Sequence, residues 1–179
     1  PGPCGLTCPR AYAAIQRPVM EVDFLTFEKA RQLVRKHGSP LLVLSREKLR
    51  ENYLSLKESL PGVELFYAVK ANPHREILKS LALAGASFDI SSVGEFELVK
   101  KIGIPPEKLI YTQPVKKRSD IVYLRERGVD LFIFDSDDEL EKLRQTAPKA
   151  RVLLRIAIPN PYCVVNLNYK FGAEPRDGE

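Results

Sequence analysis

No stretch of this sequence stays apolar for anything near the ~18 residues that suggest a membrane-spanning helix, so no membrane partner is expected. Cysteine is scarce. Cys4, Cys8 and Cys163 make an odd count without framework spacing, which excludes a disulfide scaffold. Cys4 and Cys8 could furnish two metal ligands, but no further Cys or His stands near enough in sequence to complete a set. No metal site is expected, and the Gly/Pro-rich leader around them reads as a flexible tail. Histidine is nearly missing: His37 ends a helical pattern and His74 opens one, so both read as surface residues rather than catalysts. The 10 glycines include no adjacent pair. Residues 1–19 precede the only methionine, Met20, and lack the basic start and apolar core of a secretory signal. They read as an upstream extension, and the cytoplasm is the expected compartment.

What is present is ordinary for a globular protein. Hydrophobic residues make up 44% and charged residues 28% of 179 positions, enough for one domain or part of a larger one. The net charge of +5 comes from 28 basic and 23 acidic residues spread along the chain. The densest basic group, Lys116-Lys117-Arg118, reads as the solvated start of a helix. No aromatics interleave with it, so no nucleic-acid partner is expected.

Thr26 to His37 reads as a helix capped by Thr26 and followed by Gly38. Leu41–Leu44 is a short apolar strand, and Arg46–Leu60 is an amphipathic helix stopped by Pro61-Gly62. A rhythm then begins. Strand-like runs at 63–69, 87–90, 109–111, 131–134 and 152–158 alternate with helical patterns at 74–84, 93–102, 118–127 and 136–146. Strand starts fall 24, 22, 22 and 21 residues apart. This alternation predicts a parallel sheet. Short, even units without a Gly-rich dinucleotide loop after the first strand favour a (β/α) barrel of the TIM type over a Rossmann sheet. Such a barrel closes with about eight strands, and the pattern supplies five from residue 63 onward. The expected organisation is a leader at 1–22, a helix-strand-helix segment at 23–60 and an incomplete barrel at 61–179. Ser92-Val93-Gly94-Glu95 is a capping box, with Ser92 bonding forward and Glu95 bonding back.

Lys70 closes the first barrel strand, sharing a face with Phe66 and Ala68. Active sites of barrels gather at the carboxyl ends of the strands. A lysine at an apolar barrel mouth loses solvation, which favours the neutral amine that attacks carbonyls. Position alone favours a lysine that merely snorkels to solvent. Asp89 ends the second strand, where a carboxylate can face a site or serve as a helix cap or turn residue. Arg155, in an otherwise apolar fifth strand, needs an anionic partner.

The stretch "YAVKANP" followed by "FDISSVGE" resembles the fold-type III pyridoxal-phosphate decarboxylases, which act on ornithine, lysine, diaminopimelate and arginine. "IYTQPVKKRSDI" (110–121), "LFIFDSDDELEKL" (131–143), "LLRIAI" (153–158) and "KFGAEP" (170–175) are similar to the ornithine/lysine branch in particular. The resemblance implies a barrel of the alanine racemase-like kind and pyridoxal 5'-phosphate as cofactor. It implies that Lys70 bonds the cofactor as an imine, with Asp89 near the lysine and Arg155 facing the cofactor. A small amino acid would be the substrate, decarboxylated to putrescine or cadaverine. The full-length protein would be a homodimer, with Lys170 near the contact. Glu95 matches a family position too, although its capping role suffices to explain it. The family's Gly-rich phosphate loop and its β-rich second domain, to which the strand at 41–44 would belong, have no counterpart in the sequence. The chain alone is therefore expected to be inactive. Two other readings stay open: a diaminopimelate decarboxylase or racemase of the same fold type, and a non-catalytic homologue that acts by binding another protein.

Overall fold

The computed structural model describes residues 24–158 and 170–174. Cys4, Cys8, Met20 and Cys163 lie outside the described residues. The chain divides into two compact units between Ser45 and Arg46.

In the first unit, helix α1 (Phe27–His37) starts where expected. Thr26 Oγ1 accepts a hydrogen bond from the Lys29 N–H at 3.3 Å. Glu28 in the first turn and Arg35, Lys36 and His37 in the last complement the helix dipole. The strand expected at Leu41–Leu44 is not formed. A strand exists only with a neighbour that completes its ladder, and no described residue pairs with this segment. Leu42 is 79% exposed.

The second unit opens with α2 (Arg46–Ser59), which lays Leu49 and Tyr53 against the core. Then come β1 (Phe66–Ala68), α3 (Arg75–Leu83), β2 (Ser87–Ile90), α4 (Val93–Lys101), β3 (Leu109–Tyr111), α5 (Arg118–Glu126), β4 (Leu131–Phe134), α6 (Asp137–Thr146) and β5 (Arg151–Leu154). All five strands are parallel and lie in the sheet in chain order. This is the sheet of a (β/α) barrel, five strands of it.

The two sheet faces differ sharply. Side chains alternate along a strand, and the face carrying Phe88, Ile90, Leu109, Tyr111 and Phe132 is buried. Against it pack Ile77, Leu78 and Leu81 of α3, Phe96 and Val99 of α4, Ile121 and Leu124 of α5, and Leu143 of α6. Each large side chain so buried contributes roughly 1.5–3 kcal/mol. The opposite face carries a register row running Ala68, Asp89, Ile110, Leu131 and Arg151. All of β5 is exposed. Beyond it, residue 156 forms a parallel bridge with Ala173, whose N–H donates to the Arg155 carbonyl at 2.8 Å.

One basic residue departs from expectation. Lys117 and Arg118 are exposed, but Lys116 is 3% exposed. Its Nζ donates to the carbonyls of Gln113 (3.1 Å), Pro114 (2.7 Å) and Ile133 (2.6 Å). It also lies 3.1 Å from Glu139 Oε2, close enough for an ion pair. Lys142 bonds Glu139 Oε1 and returns to the Lys116 carbonyl at 2.8 Å. Burial pulls the Lys116 ammonium below its usual range, with Glu139 opposing. Burial pushes the Glu139 carboxyl up, but Lys142 and Lys116 outweigh it and hold it below its usual range. The reading of 116–118 as a uniformly solvated helix start is thus wrong for its first residue, which is a buried clamp.

Candidate active site

β1 is shorter than its apolar run. After Ala68 the backbone tightens into a 3-10 turn over Val69–Ala71. Pro73 restrains the residue before it. Tyr67 Oη donates to the Asn72 carbonyl at 3.3 Å, and Asn72 Oδ1 accepts from the His74 N–H at 3.1 Å. Lys70 therefore sits one step past the strand, on a turn pinned from beneath by the fully buried Val69. Its side chain is exposed, not desolvated as the apolar run suggested, because the turn lifts it off the strand face. Among the described residues it makes no hydrogen bond or ion pair.

Asp89 is the penultimate residue of β2, half-buried on the open face of the sheet. It caps no helix: Ser92 Oγ does that for α4, accepting from the Glu95 N–H at 3.2 Å. Thr112 Oγ1 donates to Asp89 Oδ1. The Glu95 carboxylate bonds back onto the Ser91 N–H at 2.7 Å, one residue earlier than the simple capping box predicts. Arg155 follows β5 rather than lying within it. Its N–H donates to the Phe134 carbonyl at 2.8 Å, and its guanidinium stands 6.0 Å from the Phe171 ring centre.

These residues meet. Lys70, Asp89 and Arg155 line one open cleft of about 640 Å³, joined by Ser91, Thr112 and Lys170. Three of those side chains are cations at neutral pH and one is a carboxylate. The donor set suits a ligand that combines an aldehyde with strong negative charge: an amine for the carbonyl, and a guanidinium and a second ammonium for anionic oxygens. A phosphate-bearing aldehyde fits it. The sequence reading singled out neither Ser91 nor Thr112. The carboxyl-end rule that found Lys70 would have found them if applied to every strand.

Residues 46–179 match the profile of the pyridoxal-dependent decarboxylases, pyridoxal binding domain. Lysine/ornithine decarboxylase of Selenomonas ruminantium is 39% identical over 149 residues, covering 83% of this chain and 38% of that protein. Antizyme inhibitor 2 of Xenopus laevis is 42% identical over 121 residues, covering 68% and 26%. The crystal structure of lysine/ornithine decarboxylase from Vibrio vulnificus complexed with putrescine superimposes with a TM-score of 0.76 at 34% identity, covering 86% of this chain and 40% of that one. The chain thus spans well under half the length of these relatives.

Proposed function

Since the chain belongs to the pyridoxal-dependent decarboxylases through their pyridoxal-binding domain, we propose that it carries the cofactor-holding part of a decarboxylase acting on a basic amino acid of the ornithine or lysine class. The observation that carries the reading is the meeting of Lys70, Asp89 and Arg155, at the carboxyl ends of three separate strands, in one cleft. Lys70 Nζ would hold the cofactor's aldehyde carbon. Asp89 would face the positive charge that Lys70 carries whenever its amine is protonated. Arg155 and Lys170 would supply positive charge for the anionic groups of cofactor and substrate. When bound, pyridoxal phosphate supplies an electron sink for the pair released as carbon dioxide departs. The product would be putrescine or cadaverine. The whole protein would work in the cytoplasm as a homodimer with Lys170 near the contact.

The test is to incubate the chain with pyridoxal phosphate, reduce with borohydride and map the modified peptide by mass spectrometry. The expected result is a pyridoxyl adduct on Lys70 that disappears in Lys70→Ala, with no turnover of ornithine or lysine by these 179 residues alone. Modification confined to other lysines would overturn the assignment of Lys70. Turnover would overturn the claim that further parts are needed.

A second reading is a non-catalytic homologue that acts by binding, favoured by the 42% identity to a protein named as an antizyme inhibitor. Such a protein has no use for an amine, a carboxylate and a guanidinium together, so Lys70 labelling separates the two. A diaminopimelate decarboxylase or racemase of the same fold type would share the labelling and differ in the amino acid taken.

A further inference from the structure

Three cations, Lys70, Arg155 and Lys170, share this cleft with a carboxylate. Neither Lys70 nor Arg155 forms an ion pair with Asp89 among the described residues. The Asp89 carboxylate is held instead by a neutral hydroxyl, that of Thr112. The register explains the reach. Asp89 is opposite Ile110 across the parallel β2–β3 pair, and Thr112 lies on the same face one pleat further toward the carboxyl end.

The Thr112 backbone is fixed on both sides. Its N–H donates to the Ile90 carbonyl at 3.0 Å, which continues the ladder past β3. The next residues, Gln113 and Pro114, give their carbonyls to the buried Lys116 ammonium at 3.1 and 2.7 Å. The hydroxyl is thus presented to Asp89 from a wall that cannot easily move.

We propose that Thr112 is a positioning residue for Asp89: its hydroxyl holds the carboxylate on the β3 side of the cleft and keeps it from closing onto the Lys70 amine. This rests on reading the cleft as a pyridoxal phosphate site. A lysine tied into an ion pair is kept as an ammonium, and an ammonium has no lone pair for a carbonyl. Thr112 leaves Lys70 free to react while keeping a negative charge nearby.

The experiment measures the rate at which pyridoxal phosphate labels Lys70. Lys70 Nζ adds to the aldehyde carbon, water leaves with the aldehyde oxygen, and borohydride delivers hydride to fix the bond as a secondary amine. Thr112→Val keeps the shape and removes the donor, and should slow labelling several-fold. Thr112→Ser restores the hydroxyl and should label at close to the parent rate. In an Asp89→Asn background the effect of Thr112→Val should vanish, since there is no longer a carboxylate to restrain. The inference is overturned if Thr112→Val labels like the parent, if Thr112→Ser slows as much as Thr112→Val, or if the loss persists with Asn at 89, which would mark a purely structural role. If the parent chain gives no adduct on Lys70, the functional reading itself fails and this inference with it.

Discussion

At Lys70 the chain stops being a strand before it stops being apolar, and the amine owes its place in the cleft to that mismatch. The 3-10 turn at Val69–Ala71 buries Val69 and turns the next side chain outward into the cleft. A second residue under local constraint is Gly172. Its φ is 140°, and an added Cβ would stand 2.6 Å from the Ala157 backbone nitrogen. Its N–H donates to Asp135 Oδ2 at 3.1 Å. Gly172→Ala should lower stability by about 1–3 kcal/mol, read as a drop in the urea midpoint, and should loosen the segment that brings Lys170 and Phe171 to the cleft. Lys70, Asp89 and Arg155 were legible because polar residues at the carboxyl ends of apolar strands stand out. Lys116 was not. Its two basic neighbours in sequence make it look like surface, and nothing local announces the three carbonyls and the carboxylate that receive it.

Among elements, α6 does more than cover the sheet. Glu139 in its first turn reaches across to the β3 loop and, with Lys116, ties that loop to β4. Breaking a buried ion pair from one side leaves the other charge uncompensated. Glu139→Ala should therefore cost about 3–5 kcal/mol, measured by thermal or urea unfolding. Because Gln113 and Pro114 line the cleft, the same change should also reduce Lys70 labelling in molecules that remain folded. The existence and type of nearly every element followed from periodicity. The capped helices α1 and α4 were clearest, since Thr26 and Ser92 each accept from the N–H three residues on. Three elements misled, the first being the fifth strand, expected at 152–158 but ending at Leu154, before Arg155. The 41–44 run has strand composition but no described partner, and composition cannot supply one. The 63–69 run kept only Phe66–Ala68 as strand, because the Asn72-Pro73 corner sets a turn that begins sooner than hydrophobicity suggests.

At the scale of the molecule, the buried sheet face sets a pH limit. Burial, with the charges of Asp120, Glu95 and Glu139 adding to it, pushes the Tyr111 phenol up to about 12 from its usual 10.0. A group whose pKa is raised by folding gives stability that is fully present below its unfolded pKa and lost as pH rises through the folded one. Stability should therefore hold up to about pH 10 and fall as pH approaches about 12. Tyr111→Phe should lessen that fall relative to the parent. The check is the urea midpoint of both proteins across that range, and equal slopes would show that Tyr111 does not set the limit. That Tyr111 belongs to the helix-covered face was readable only through register, since its polar hydroxyl would equally suit the cleft side.

The strands lie in the sheet in the order in which they occur in the chain, each beside the one made just before it. Every closure needed to build this wall therefore spans only one strand-helix unit, and loops of that length close at modest entropic cost. A ribosome making the protein would release Lys70, then Asp89, then Thr112, whose hydroxyl meets a carboxylate already made. Arg155 arrives after them. Assembly of this corner of the cleft can thus run ahead of synthesis of the residues that complete its charge.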